Sequence, residues 1–335
     1  MASRRRFRQR GRRGPRIGDA GLFASIVMAA AGVVLGASGA YMAGKGAAAE
    51  AARGFVGPIA LREAPLPPGA DVFAARARLV EQMISGGAPE RFEPPAPTKG
   101  KPKIIIVFDD MGIDKAAYEQ VMKLPGPLTL SFLPYADGLQ PLVDRASASG
   151  HEIMLHLPMQ PNGAADPGPH ALAVDMTGSK LLSELDWNMK RIEGYVGVNN
   201  HMGSRFTRNE ASMKTVLSVL AEKGLFFLDS VTTGETVATV AGHSVGATVF
   251  ARDVFLDPEA GSETVMRQLA LVERIAEETG FAVAICHPRP DTLKVIGPWL
   301  TSAPSRGFEL EKVSALIDIG DAWSSQKRVA SADGK

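Results

Sequence analysis

At 335 residues, 45% hydrophobic and 22% charged with mean hydropathy close to zero, the chain can bury a substantial core. That excludes a wholly disordered protein and a polytopic membrane protein, and the single cysteine, Cys286, excludes a disulfide framework and Cys-rich zinc motifs. The net charge of +1 averages two unlike parts: residues 1–18 hold eight arginines and no acid, and without them 29 basic residues face 36 acidic ones, a net of −7.

Residues 1–19 form the basic segment, and an uncharged run follows from Ala20 to Gly44. As a helix it would be about 37 Å long, enough to span a ~30 Å hydrocarbon core. Arginines before the run and only Lys45 soon after place the N-terminus in the cytoplasm and everything beyond Lys45 outside it, in the periplasm or cell envelope. The run is longer than a usual signal core, which favours a single-pass anchor in the inner membrane. Small residues near 37–40 and 47–49 also suit a signal peptidase, and Ser3–Phe7 resembles a twin-arginine export signal. The apolar run behind the arginines argues against a nucleic-acid arm.

Residues 45–101 are rich in Ala, Pro and Gly and read as a semi-rigid spacer, with one short helix available over 71–85. A domain is expected over 102–323, followed by a tail at 324–335. Within it, short apolar strands (104–108, 128–132, 152–156, 196–198, 225–228, 248–250, 282–286 and a weaker 308–310) alternate with amphipathic stretches such as 179–193, 210–223 and 262–279. That alternation predicts an α/β fold with a parallel sheet covered on both faces. Seven or eight such units in this length fit a (β/α) barrel better than an open sheet.

In parallel α/β folds the ligand site lies beyond the carboxyl ends of the strands. Those ends deliver Asp109-Asp110, His156, Asn199-Asn200-His201, Asp229-Ser230, Arg252-Asp253 and His287. Carboxylates with imidazoles suit zinc or another divalent ion, with acid–base helpers for metal-assisted hydrolysis. Two adjacent aspartates on a strand are expected on opposite faces, one free to bind metal and the other to accept a proton. His151, at the start of its strand, reads as structural, His170 and His243 as surface residues, and Cys286 as a small buried hydrophobe.

Val107–Gly112, Gly150–His156 and Ala284–Pro288 resemble the first, second and last motifs of the polysaccharide deacetylases. Leu130–Tyr135, His156–Met159, Gly197–Phe206 and Phe227–Ser230 resemble the divergent branch of that family. The resemblance spans about residues 103–300 and implies a deformed (β/α) barrel with an N-terminal helix and linker outside it. It implies Asp109 as general base, Asp110 and His156 as metal ligands and His287 as general acid. Arg205 and Asp229 would orient base, acid or substrate, with Asn200 beside them. The common pattern has a further histidine four residues after His156, where this chain has Gln160, so His201 is the candidate third ligand. The implied reaction is attack of a metal-activated water on the acetamide of an N-acetylated sugar in an envelope polysaccharide. Gln160 also motivates an alternative, a catalytically weak or inactive protein of the same fold that binds a glycan or an envelope partner. A metal-dependent amidohydrolase on a peptide or small amide is a third reading.

Overall fold

A run such as Ile104-Ile105-Ile106-Val107-Phe108 is apolar at every position because a central parallel strand is buried on both faces. The structure, a computed structural model, describes residues 70–85 and 100–322. Strand β1 (Lys103–Met111) sends Ile104, Ile106 and Phe108 to one core layer and Ile105 and Val107 to another. The first layer lies between sheet and helices. The second fills the inside of the curled sheet with Met154, Phe226, Leu228, Val283 and Ile285.

The remaining units are α2 (Lys115–Val121), β2 (Thr129–Phe132), α3 (Leu139–Ala148), β3 (Glu152–Met159), α4 (Gly178–Met189), β4 (Gly197–Met202), α5 (Glu210–Glu222), β5 (Phe226–Asp229) and α6 (Ala238–Val245). They are followed by β6 (Val249–Ala251), β7 (Val254–Phe255), α7 (Ser262–Thr279), β8 (Phe281–Cys286), α8 (Pro290–Ser302) and β9 (Glu309–Glu311). The parallel strands run in the order β6-β5-β4-β3-β2-β1-β8-β7, and β9 pairs with the first residues of β1.

The sheet curls until its two ends are two residues apart in the chain. No ladder joins β6 to β7 among the described residues. Instead Arg252 N–H donates to Asp229 O at 3.1 Å and Asp253 N–H donates to Val283 O at 2.8 Å, so the backbone steps from one sheet edge to the other. This split strand is what deforms the barrel. The opposite opening is stopped by the segment after β9, where Val313, Leu316 and Ile319 enter the inner core and Glu152 accepts from Ser314 N–H at 3.2 Å. His151 at that end is buried and accepts from Leu128 N–H at 3.2 Å.

The reading of 45–101 as spacer needs correction over one stretch. Helix α1 (Ala70–Ile84) packs on the domain, burying Leu79, Val80 and Met83. Arg76 makes a bidentate pair with Asp253, at 2.7 and 2.9 Å, and also donates to Phe281 O at 2.5 Å. It thus bridges the seam between the split strand and β8. The helix itself was expected over 71–85; its packing on the domain was not, because the flanking prolines read as spacer and the partners of Arg76, Asp253 and Phe281, lie 177 and 205 residues further on.

Among the described residues no helix is long and apolar enough to cross a membrane. The basic segment, the run 20–44 and the tail lie outside the described residues. Both members of the Arg76–Asp253 pair are about 5% exposed, so Arg76→Ala leaves a buried carboxylate uncompensated. The expected loss is about 3–5 kcal/mol of unfolding free energy, measurable by urea denaturation. A loss below about 1 kcal/mol would show that the seam holds without α1.

Candidate metal centre

The site begins with a register slip in β1. Phe108 pairs with Leu130 and Met111 with Phe132, so Asp109 and Asp110 together oppose Ser131 alone. This is a β-bulge, and Asp110 takes φ of 58°, a left-handed conformation that Asp tolerates better than most residues. The expectation that the two aspartates face opposite ways is corrected here. The bulge restores Asp110 to the inner side, and both carboxylates converge on His156 Nε2, Asp109 Oδ2 at 3.5 Å and Asp110 Oδ1 at 3.4 Å.

His156 is on β3, whose neighbours Leu155 and Leu157 point to the outer core. Its Nδ1 donates to Asn199 Oδ1 at 2.9 Å, which leaves Nε2 turned into the site. Asn199 organises the floor. Its Oδ1 also accepts from the Ser131 hydroxyl, and its amide donates to Asp109 Oδ1 at 2.7 Å and to Ser230 Oγ at 3.3 Å. His201, two residues on along β4, brings Nδ1 to 3.0 Å from Asp110 Oδ1 and 3.3 Å from His156 Nε2.

Ligand atoms of Asp110, His156 and His201 therefore lie within 4.8 Å of one another. Asp110 Oδ1 is buried, yet neither ring nitrogen beside it is aligned to hydrogen-bond with it. Two imidazole nitrogens facing each other across an orphaned carboxylate oxygen form a donor set suited to a divalent cation. Burial opposes ionisation of Asp110, but the imidazoles of His156 and His201 outweigh it and hold this carboxyl well below the usual range. For Asp109 the balance is reversed, and full burial raises its pKa despite His156 and His287.

His287 follows β8 and sets Nε2 at 3.6 Å from Asp110 Oδ2. Its orientation comes from Asp257, a residue the sequence reading passed over. Asp257 Oδ1 lies 3.1 Å from His287 Nδ1, and its Oδ2 accepts from His287 N–H at 3.0 Å and Thr292 Oγ1 at 2.8 Å. Burial disfavours the imidazolium, yet Asp257, Asp109 and Asp110 together raise the His287 pKa.

Several residues expected at the site are placed elsewhere. Asp229 is buried and turned to its own loop, accepting from Val231 N–H at 2.8 Å and Thr236 Oγ1 at 2.6 Å. Arg205 is exposed. The arginine whose charge acts on Asp109 and Asp229 is Arg252, held by Ser230 O at 2.5 Å and Val231 O at 2.9 Å. Asn200 faces away from the cluster, linking Met202 O at 2.7 Å and Ser230 N–H at 2.9 Å. The amide of Gln160 is also turned away, and Oε1 accepts from Val174 N–H at 3.1 Å. Alternation along β4 was the available clue, because it puts Asn199 and His201 on one face and Asn200 on the other.

The family model described as divergent polysaccharide deacetylase matches residues 106–317. The chain belongs to the divergent polysaccharide deacetylase family. It is 32% identical over 216 residues to the uncharacterized protein YibQ of Escherichia coli (strain K12), covering 64% of this chain and 67% of that one. It is 30% identical over 225 residues to an uncharacterized protein of Haemophilus influenzae (Rd), covering 67% and 78%. Among solved structures, an uncharacterized protein from Agrobacterium tumefaciens C58 is similar with a TM-score of 0.64 and 27% identity, over 75% of this chain and 99% of that one. In this member of the deacetylase family the cluster uses His201 on β4, one strand away from the Gln160 position.

The His287–Asp257 contact has a defined pH signature. His287 titrates higher folded than unfolded, so its share of stability is full below the ordinary imidazole range and is lost as pH rises through the folded value. The Asp257 carboxyl is held low, burial being outweighed by His287, so its share is present above the ordinary carboxyl range and lost as pH falls through the folded value. Asp257→Asn is expected to move the His287 titration to lower pH, read from its ring protons by NMR. An unmoved titration would show that Asp257 does not set the charge of His287.

Proposed function

We propose that the chain is a metal-dependent hydrolase that removes acetyl groups from N-acetyl sugars of an envelope polysaccharide. Residues 20–44 would tether it to the inner membrane, with the domain outside the cytoplasm. The observation that carries this reading is the convergence of Asp110, His156 and His201, flanked by a buried carboxylate and by a carboxylate-paired histidine.

Asp110, His156 and His201 would hold the cation, with zinc the best match to one carboxylate and two imidazoles. Such an ion, when bound, supplies Lewis-acid activation of water and of the acetyl carbonyl. The remaining steps fall to side chains. Asp109 is the base: Asn199 holds its Oδ1, leaving Oδ2 toward the cluster, and burial has raised its affinity for a proton. His287 is the acid: Asp257 holds Nδ1, favours the protonated ring and leaves Nε2 facing the cluster, where it can protonate the departing amine.

The side chains of Asp110, His287 and His201 keep 35%, 17% and 14% of their exposure, so the cluster is open on one side. An open mouth suits a polymer better than an enclosed pocket suits it. The inactive, binding-only alternative drew on Gln160, and the presence of His201 in the cluster supports catalysis over it.

Purified protein is expected to bind about one equivalent of zinc and to release acetate from N-acetylated glycan oligomers. Asp110→Ala and His156→Ala should lose the metal, whereas Asp109→Asn should keep it and lower kcat about 10²–10⁴-fold. Metal content unchanged in both ligand variants would refute the centre, and no acetate from any N-acetylated glycan would refute the substrate class.

A further inference from the structure

The chemistry above leaves the Leu130–Tyr135 motif without a role and Gln160 unexplained. Gln160 acts as a staple. Besides accepting from Val174, it donates its backbone N–H to Leu172 O at 2.8 Å, and its carbonyl accepts from Arg205 and Phe206 N–H at 3.1 Å each. Leu172 N–H in turn donates to Pro158 O at 2.9 Å. The loop 161–171 is therefore drawn back along the end of β3.

That loop carries Gly168, and a Cβ built there would stand 2.7 Å from Tyr135 Cε1. The Tyr135 ring thus lies directly against the glycine backbone, a contact that another residue would block. On its other side the turn is held by Arg191, whose Nε donates to Pro134 O at 3.0 Å. Arg191 also lies 5.0 Å over Trp187, which stacks on His170 at 3.5 Å and 14°. Tyr135 is consequently fixed from two directions while remaining half-buried.

The same turn is packed on the tail of β1. Leu133 N–H donates to Met111 O at 3.1 Å, and a Cβ on Gly112 would lie 3.5 Å from Ala136 Cβ. The turn that carries Tyr135 is therefore packed against Met111 and Gly112, the residues that follow Asp110. Burial, then the charges of Asp110 and Asp166, raise the Tyr135 phenol pKa, consistent with that position.

A rigid, partly exposed aromatic ring offers a flat apolar face and a polar tip at low entropic cost. A pyranose offers a complementary flat face of C–H groups edged with hydroxyls. We propose that loop 161–171 and the turn between β2 and α3 form a sugar subsite, with Tyr135 the platform on which the ring bearing the N-acetyl group stacks. This rests on reading the cluster as a glycan N-deacetylase. It also gives Gln160 a purpose: the position is spent on holding the wall of the subsite.

The test uses the zinc-loaded full chain and the tetramer of N-acetylglucosamine, with KM and kcat from acetate release and Kd from calorimetry. Tyr135→Ala should raise KM and Kd about tenfold, with zinc content and thermal midpoint at wild-type values. Tyr135→Phe should recover most of the affinity, because the stacking face is kept. Gly168→Val, which displaces the ring without removing it, should also raise KM. If the wild type cleaves the tetramer and Tyr135→Ala keeps its KM, the platform is refuted and the deacetylase reading stands. If the wild type binds the tetramer without cleaving it, the deacetylase reading fails, while a raised Kd in Tyr135→Ala sustains the platform. Loss of zinc in Tyr135→Ala, or a wild type that neither binds nor cleaves, refutes the platform.

Discussion

One extra residue in β1 shapes the candidate metal centre of this molecule. A regular strand would turn Asp110 toward the helices, into a layer occupied by Phe108 and Met111, where an ionised carboxylate would be prohibitively costly. The bulge opposite Ser131 turns it inward beside Asp109. Two carboxylates then share one small space with three histidines, and their environments push them apart. Asp109, fully buried, is driven toward holding a proton, while Asp110, between imidazoles, is driven toward staying ionised. The proposed division between proton acceptor and cation ligand rests on this difference in surroundings.

The barrel carries a second departure from regularity on its far side. Arg252 and Asp253 step between sheet edges, and each side chain is committed to that seam. Arg252 donates to the carbonyls of Ser230 and Val231 directly after β5, where Val231 holds φ of 47°, unusual for a β-branched residue. Asp253 receives Arg76 from α1 and the N–H of Val283. The charge acting on Asp109 through Arg252 and the closure of the barrel thus belong to one network. Helix α1 is part of the folded unit for that reason, although its sequence lies in a proline-rich stretch.

Much of the fold was legible in the sequence because buried parallel strands leave continuous apolar runs, and Ile104–Phe108 or Ala282–Cys286 admit few other readings. The two-residue strand β7 carries too few residues for any periodic signal, so it escaped notice. At the site, residues ending strands were visible: Asp109, His156, His201 and His287 come together, and Asp110 joins them only because the bulge turns it inward. What failed was anything that depends on register or on loops. The bulge cannot be read from Phe108–Met111, and alternation was needed to prefer Asn199 over Asn200. Asp257 lies in a loop after β7, thirty residues before His287 in sequence, with no local pattern to mark it. Arg205 and Asp229 were carried over by motif, and a motif does not say which way a side chain turns.

The central claim is that Asp110, His156 and His201 form one cation site. X-ray absorption spectroscopy on the zinc-loaded protein tests it most directly. The account predicts scattering from two imidazoles and light oxygen or nitrogen donors at about 2.0–2.1 Å, falling to one imidazole in His201→Ala. Two imidazoles persisting in His201→Ala, or fewer than two in the wild type, would contradict it.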